Sequence, residues 1–399
     1  MCSPSKIAGS TLMNILNIST EIRHGLACAA SLTKRGHKVI HIQLEESGFT
    51  AKKVKVQTDT DVAEIEYIGL PTLQRYVVKN VAKFISENII NIELVDAIIT
   101  MPSVSFYLAH ALSSKLCIPL VLRISSLGIY DRFKEAITLF HWYRGILELA
   151  PALKRLTENL VHSSTLIAHS AYIAKFLKEK LPLRKPILIY PTYAKFVRKE
   201  QNQFGFNIEK WCLEKHHNIL GITSIGRPGL GSRHDTIILK ILYIIAKHNP
   251  EINVIVLGSN DIEARKSLNL YHLPPNMKFL GFVYDDTLIE RIYECSSLVI
   301  APVFFRAVSN RILEALFYGK PVLTNSYIKE IFPELKHGIS VYISDRYEEY
   351  PNVVRSLLNS SNTLEELTEG AKKVWKELFS ERVFGSKMET VLKNLRRSP

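Results

Sequence analysis

The chain has 399 residues, of which 47% are hydrophobic, so it can bury a sizeable core and is neither intrinsically disordered nor a small stapled domain. Its apolar runs are shorter than the roughly 18 residues of a membrane span, and its five cysteines have no close spacing, which indicates a reducing compartment without a disulfide framework or zinc site. The net charge is +13, and Lys and Arg outnumber Asp and Glu by 26 to 16 in residues 1–200, which indicates either an anionic partner or an ordinary soluble basic surface.

In chain order, short β-rich apolar runs alternate with helical patterns. The predicted strands of the first half are His37–Gln43, Ala63–Leu70, Val95–Met101, Pro119–Ser125, Thr165–Ser170 and Pro186–Pro191. The predicted helices of that half are Glu21–Arg35, Thr72–Glu87, Ser103–Lys115 and Ala171–Lys180. This alternation predicts a parallel sheet with helices on both faces.

The second half repeats the alternation. Its predicted strands are Asn218–Gly226, Asn253–Ser259, Lys278–Val283, Ser297–Val303, Pro321–Asn325 and Ser340–Ser344. Its predicted helices are Asp235–His248, Asp285–Cys295, Val308–Tyr318, Tyr350–Leu358, Thr363–Leu378 and Ser380–Asn394. Each half is therefore predicted to be a doubly wound α/β domain.

A polar, charged stretch at Thr192–Lys215 separates the halves. We predict a first domain at residues 1–195, a linker at 196–216, a second domain at 217–378 and a C-terminal helix at 379–399 that returns towards the first domain. Ligands bind at the carboxyl ends of parallel strands, so the cleft between two such domains is the predicted site.

A glycine-rich turn joins a predicted strand to a predicted helix in the second half. Gly226 and Gly229 let backbone N–H groups approach a ligand, and a helix N-terminus favours an anion. Arg227 and Arg233 add forked donors that suit a diphosphate. The turn is neither a Walker motif nor a dinucleotide fingerprint, and a plain connection is the alternative interpretation.

A second motif starts at Ala301-Pro302 and continues through the helix that contains Glu314. The helix has one apolar face, ends at Gly319, and is followed by a strand that opens at Pro321. Glu314 lies within the apolar run. It is either a solvated or paired structural acid, or an acceptor for a vicinal diol such as ribose.

Six sequence motifs of the second half, in their order and spacing, resemble the donor-binding domain of retaining GT-B glycosyltransferases. The resemblance is to group 1 of these enzymes, the family 4-like type. The six motifs are the Gly226–Arg233 turn, Val254–Gly258, Leu280–Val283, Tyr293–Ser296, Ala301-Pro302 and Leu313–Val322. The resemblance covers roughly residues 218–395. Looser similarities in the first half are Gly36–Val39 and Ile167–Ser170.

This resemblance implies a GT-B fold, in which two Rossmann-like doubly wound domains face each other across a cleft. Arg227 and Arg233, with the Gly226 and Gly229 backbone, would hold the diphosphate of a nucleotide sugar, and Glu314 would accept hydrogen bonds from its ribose. The phosphates would contact the backbone at the start of the helix that contains Glu314, around Ser309, Asn310 and Arg311. Residues near Phe282 and Val283 would flank the base.

Three departures from the family pattern bear on activity. Arg306 stands where the family often has a glutamate that touches the sugar. The family's N-terminal glycine pair is absent, since Gly9 is followed by Ser10. Ser125-Ser126 replaces a histidine of the first domain; His110 and His141 are the nearest alternatives, and each also fits a structural role.

The implied reaction transfers a sugar with retention of anomeric configuration, and the leaving diphosphate oxygen can itself take the acceptor proton. The protein's task is then to stabilise charge on the diphosphate. We predict no metal and no cofactor beyond the nucleotide-diphosphate-sugar substrate. Asp59-Thr60-Asp61 matches the Asp-x-Asp of metal-dependent glycosyltransferases, but we interpret it as a polar turn between strands.

The first domain is predicted to bind the acceptor, a glycan or a lipid-linked one. Residues 132–147 mix aromatic and cationic side chains as interfacial helices do, and further basic residues follow: Lys154, Arg155, Lys175, Lys178, Lys180, Arg184 and Lys185. These features favour a cytoplasmic enzyme with peripheral contact to an anionic membrane, whereas a core-facing helix with solvated lysines is the plain alternative. No nucleic-acid-reading module is recognised.

Three other functions stay open at this stage. A catalytically degenerate relative would bind a nucleotide sugar, or a partner, without transfer. An epimerase on the same scaffold would act on the nucleotide sugar without an acceptor. A nucleic-acid-binding protein would show salt-sensitive retention on DNA or RNA.

Overall fold

A computed structural model describes residues 12–45, 50–59, 61–71, 82–83, 85, 95–102, 104–126, 158–180, 185–196, 218–223, 233–283, 285–304 and 306–397. The chain divides into two compact units. The first consists of Met1–Val197, Arg306–Val308 and Leu378–Pro399, and the second of Arg198–Phe305 and Ser309–Glu377.

The first unit contains a nine-stranded sheet. Its strands are β1 (Asn14–Ser19), β2 (Lys38–Glu45), β3 (Thr50–Gln57), β4 (Val62–Pro71), β5 (Ala97–Thr100), β6 (Leu120–Ile124), β7 (Thr165–Ala168), β8 (Ile187–Leu188) and β9 (Lys195–Phe196). The strand order is β8-β7-β6-β5-β1-β2-β4-β3-β9, and the pairs are parallel except for those that β3 makes. The helices of this unit include α1 (Ile22–Thr33), α2 (Val104–Leu116) and α3 (Ala171–Lys180).

The sequence analysis missed three strands of this sheet, namely β1, β3 and the two-residue β9. β1 lies between β2 and β5, but Asn17 interrupts its apolar pattern. The polar side chain is accommodated because its Nδ2 donates to the Gly25 carbonyl oxygen at 2.7 Å. β3 carries Lys52, Lys53 and Lys55 and pairs antiparallel with β4, so the sheet is mixed rather than wholly parallel.

The second unit contains a parallel six-stranded sheet. Its strands are β10 (Asn218–Ile222), β11 (Asn253–Leu257), β12 (Met277–Gly281), β13 (Leu298–Ile300), β14 (Val322–Thr324) and β15 (Tyr342–Ile343). The order β12-β11-β10-β13-β14-β15 is that of a doubly wound fold. Its helices are α4 (Arg233–His248), α5 (Asp261–Leu268), α6 (Asp286–Cys295), α7 (Asn310–Phe317), α8 (Ile328–Ile331), α9 (Tyr350–Leu358) and α10 (Ser361–Val374).

The last helix, α11 (Glu381–Arg397), belongs to the first unit. It supplies four buried side chains to the core beneath α1 and the sheet: Phe384, Met388, Val391 and Leu392. Ion pairs join Lys34 to Glu381 at 3.1 Å and Arg35 to Glu389 at 3.0 Å. These contacts fix the helix against α1.

The prediction of two doubly wound α/β domains is confirmed, although β3 makes the first sheet mixed. In the part of the chain that the structure describes, none of the helices has both the length and the apolar composition to cross a membrane. The expectation of no disulfides is wrong for two described cysteines, since Cys117 forms a disulfide and so does Cys295, whereas Cys28 is a buried free thiol. Most of the predicted helix Thr72–Glu87, the segment 132–147 and the linker lie outside the described residues.

Candidate functional site

The strand order of the second sheet reverses between β10 and β13, which are neighbouring parallel strands. β11 lies on one side of this pair and β14 on the other. Because both connections of a parallel sheet are right-handed, α4 and α7 leave the carboxyl edge on opposite faces and open a crevice between their starts. Ligands of doubly wound folds bind at such a switch point.

The two predicted motifs follow the two strands at this switch point. The glycine turn follows β10, although Gly226, Arg227 and Gly229 lie outside the described residues. Arg233 is the first residue of α4, with a side chain that is likewise not described. Ser309 immediately precedes α7, and its hydroxyl makes no capping hydrogen bond.

Glu314 is half-buried in the middle of α7, as its place in the apolar run suggested. The Tyr293 hydroxyl donates to Glu314 Oε2 at 3.1 Å. Tyr293 is fully buried, and its ring stacks on Tyr318 with centroids 4.6 Å apart. The carboxylate is therefore held by a rigid donor on a neighbouring helix.

Arg311 and Asp235 connect the starts of α7 and α4. An Arg311 guanidinium nitrogen donates to Asp235 Oδ1. Asp235 is 4% exposed, although it lies in the first turn of α4. The Arg311 side chain is thus paired within the unit, and the sequence motif assigned no role to Asp235.

Phe282 and Val283 emerge directly after β12 and are half-buried. The neighbouring strand ends are tied together, because the Gly258 N–H donates to the Gly281 carbonyl at 2.6 Å and the Gly281 N–H to the Ser259 carbonyl at 3.1 Å. The predicted base-flanking pair therefore lies at the same carboxyl edge as the two motifs.

Asn325 holds the loop between β13 and α7. Its Oδ1 accepts from the Val303 N–H at 3.0 Å, and its Nδ2 donates to the Val303 carbonyl at 2.8 Å. The next residue, Phe304, stacks on His234 of α4 with ring centroids 5.0 Å apart. No sequence signal pointed to these contacts, since they join elements that are distant along the chain.

Arg306 groups with the first unit, where its guanidinium lies 5.3 Å from the centre of the Tyr172 ring. The Val308 N–H donates to the Ser125 carbonyl at 3.1 Å. His110 stacks on His162 with centroids 4.3 Å apart, and burial followed by the His162 charge lowers the pKa of His110. His141 lies outside the described residues.

A buried polar cluster occupies the first sheet near its carboxyl edge. Arg123 is 1% exposed, and its Nε donates to His169 Nε2 at 3.0 Å. His169 Nδ1 lies 2.6 Å from the Ile189 carbonyl oxygen, so it is the protonated nitrogen of a neutral ring. Burial, then the Arg123 charge, lowers the pKa of His169 well below its usual value.

His41 extends this cluster across β2. Its Nδ1 lies 2.9 Å from Asn17 Nδ2, which is a donor, and its Nε2 lies 3.2 Å from Gln43 Oε1. The ring is therefore neutral, and burial lowers its pKa to about 4. These groups satisfy one another inside the fold, which is typical of a structural cluster.

Asp59 and Asp61 lie between the antiparallel strands β3 and β4, so the interpretation of this motif as a turn is confirmed. The Asp59 carboxylate oxygens accept from the Glu381 N–H, each at 3.3 Å, at the start of α11. Within the described residues, no group of three or more His, Cys, Asp or Glu side chains is arranged to hold a metal ion.

Residues 222–360 match the family of glycosyl transferases group 1. The matched segment begins at the end of β10 and includes the glycine turn, α7 and Glu314. The resemblance predicted from the six motif pieces is therefore confirmed over this segment. None of the curated proteins compared with the chain matches it significantly.

Solved structures match the fold over nearly the whole chain. HepE of Anabaena, in complex with UDP and glucose, is 16% identical over 96% of this chain and 99% of its own, with a TM-score of 0.63. Sucrose-phosphate synthase of Thermosynechococcus elongatus is 13% identical over 97% and 100%, with a TM-score of 0.67. The UDP-forming trehalose-phosphate synthase of Burkholderia xenovorans is 9% identical over 96% and 99%, with a TM-score of 0.64. These similarities confirm the predicted GT-B fold.

Proposed function

We propose that this protein is a glycosyltransferase that moves a sugar from a nucleotide-diphosphate sugar to an acceptor. One observation carries the proposal: the segment that matches the group 1 family places Glu314, the start of α7 and the glycine turn after the two strands of the switch point. A crevice with helix N-termini and a fixed carboxylate suits a nucleoside diphosphate.

In the proposed reaction the configuration of the sugar is retained. Arg227, Arg233 and the backbone N–H groups at Ser309, Asn310 and Arg311 would stabilise the charge that develops on the leaving diphosphate. A diphosphate oxygen would accept the proton of the attacking hydroxyl on the same face. No metal ion is assigned a step in this proposal.

Glu314 would hold the ribose of the donor. Tyr293 holds one of its carboxylate oxygens through the 3.1 Å hydrogen bond, and a carboxylate is a suitable acceptor for the two ribose hydroxyls. HepE in complex with UDP-glucose is one of the similar structures, so UDP-glucose is the first donor to test.

The acceptor is proposed to meet the first unit, whose sequence carries most of the net positive charge. This basic excess supports a glycan or lipid-linked acceptor bearing phosphate, and peripheral contact with an anionic membrane face. A cytoplasmic location stays a prediction.

Arg306 supports a second candidate, a nucleotide-sugar-binding protein without transfer activity. It replaces the expected glutamate, and its guanidinium lies over Tyr172. Such a protein would bind the donor but would neither transfer nor hydrolyse it.

A binding screen combined with a turnover assay tests both candidates. We would measure thermal shifts with UDP, GDP, UDP-glucose and a GDP-sugar for the wild type and Glu314→Ala, and then UDP or GDP release with and without added glycan acceptors. From the thermal shifts, we expect the apparent affinity of Glu314→Ala for the nucleotide to be roughly 10–100-fold lower than that of the wild type, as expected for the loss of hydrogen bonds to a charged group. This result would support the site. Binding without release would favour the second candidate.

The control is Glu369→Gln, which removes an exposed carboxylate paired with Lys372 on α10. It should bind the same nucleotide as the wild type does. Equal stabilisation of the wild type and Glu314→Ala would show that the ribose site is misassigned.

A further inference from the structure

The Arg311–Asp235 ion pair lies where a pair chosen for stability alone would not be placed. Arg311 is in the first turn of α7, where a cation opposes the positive end of the helix dipole. Asp235 is 5% exposed at its side chain and Arg311 25% exposed, so the pair is largely desolvated. Burying two charges costs about as much as their attraction returns. A residue that violates a helix preference without a clear gain in stability, as Arg311 does here, is typical of a functional position.

The pair lies at the switch point of the second sheet. α4 and α7 leave the carboxyl edge on opposite faces of the sheet, so a contact between their first turns spans the edge at the switch point. The distance between these two helix starts sets the width of the crevice that an anion would enter.

A second contact joins the same two segments. His234, next to Asp235 in α4, stacks on Phe304 at 5.0 Å between centroids. Val303, which precedes Phe304, is fixed by Asn325: its N–H donates to Asn325 Oδ1 at 3.0 Å, and its carbonyl accepts from Asn325 Nδ2 at 2.8 Å. The loop that leads into α7 is therefore held by its own sheet and by α4, and the ion pair fixes the start of α7 itself.

We propose that Asp235 and Arg311 are positioning residues that set the spacing of the α4 and α7 N-termini for the diphosphate of the donor. The proposal rests on the proposed function and names the part of the ligand that the pair serves. Disturbing the pair should weaken binding of the diphosphate and leave binding of the nucleoside alone unchanged.

Calorimetric titrations with UDP, GDP, uridine and guanosine test this, together with urea unfolding of each variant. For Asp235→Asn and Arg311→Gln we expect roughly tenfold weaker binding of the nucleoside diphosphate that the wild type prefers, because a displaced helix start would lose about one hydrogen bond to the phosphate. Nucleoside affinity should stay within about twofold. Arg311→Lys should recover part of the loss.

The double variant Asp235→Asn with Arg311→Gln leaves no uncompensated charge and should fold where a single variant does not. Its loss of diphosphate affinity should match that of either single variant, since both changes break one contact. Glu369→Gln on α10 is the matched acid-to-amide control and should leave all four affinities unchanged.

Three results would overturn the proposal. Unchanged diphosphate affinity with lowered stability would make the pair purely structural. Tighter diphosphate binding by Asp235→Asn would show that Arg311 is itself a phosphate ligand that Asp235 competes for. A wild-type protein that binds neither UDP nor GDP would overturn the proposed function as well. This outcome differs from the other two because it is measured on the wild type alone.

Discussion

Six parallel strands of the first sheet, β4-β2-β1-β5-β6-β7, have the same doubly wound order as the second sheet, but the carboxyl edges of the two sheets use polar residues in opposite ways. In the first sheet, Asn17, His41 and Arg123 are at most 1% exposed and bond to one another or to the backbone. In the second, Glu314 is half-buried and Arg311 has a 25% exposed side chain. One topology therefore supports a sealed polar core in one unit and accessible groups in the other, and the degree of burial indicates which edge can meet a ligand.

The largest expected effect tests the accessible edge. Arg227→Ala should lower the rate of sugar transfer by about 10²–10³-fold, because it removes a donor aimed at charge that grows in the transition state. Steady-state release of the nucleoside diphosphate measures this. Arg265→Ala, on the exposed side of α5, is the control. A rate within twofold of the wild type would remove Arg227 from the site.

Acid should destabilise the sealed edge. The pKa of His41 is lowered to about 4 in the folded state, so the neutral ring is favoured by folding. Its contribution is complete above the unfolded pKa of about 6.5 and is lost as the pH falls towards 4. By pH 5 the loss from His41 alone is about 2 kcal/mol, and the lowered pKa of His169 adds to it in the same direction.

Hydrogen exchange at pH 7 and pH 5 separates the two units. Amides of β1, β2, β6 and β7 should lose protection first, whereas those of β10 and β13 should change less. Equal loss in both units would contradict the assignment of the acid sensitivity to the buried histidines.

A buried glycine in each unit allows the packing of the two units to be compared by Gly→Ala substitution. A Cβ at Gly25 would lie 2.6 Å from His41 Cε1, and one at Gly221 would lie 2.3 Å from Leu242 Cδ1. Each Gly→Ala change should cost about 1–3 kcal/mol of unfolding free energy as overpacking. Gly25→Ala should cost more, since the His41 ring is held by hydrogen bonds while the Leu242 side chain can turn. Urea unfolding measures both, and Leu242→Ala should relieve Gly221→Ala.

The smallest expected effect concerns the hydroxyl of Tyr293. Tyr293→Phe keeps the ring that stacks on Tyr318 but removes the hydrogen bond to Glu314. We expect the KM for the donor to rise about three- to tenfold, which corresponds to one hydrogen bond, with little change in kcat. A fall in kcat without a change in KM would contradict the role of this pair in holding the ribose.

The sequence predicted most elements because their apolar periodicity reflects burial. β1 was missed because Asn17 replaces an apolar residue at a buried position, and β3 because its lysines face solvent. Glu314 and the turn could be predicted from motif order. Asp235, Tyr293 and Asn325 could not, because each acts through a partner 76, 21 or 22 residues away, a separation with no local signature.

The placement of α11 has a consequence for biosynthesis. Phe384, Met388 and Leu392 complete the core of the first unit, and they are translated after every residue of the second unit. Domains usually close in the order in which they are translated. Here part of the apolar surface of the first unit stays uncovered until α11 has been translated, so the second unit can close first.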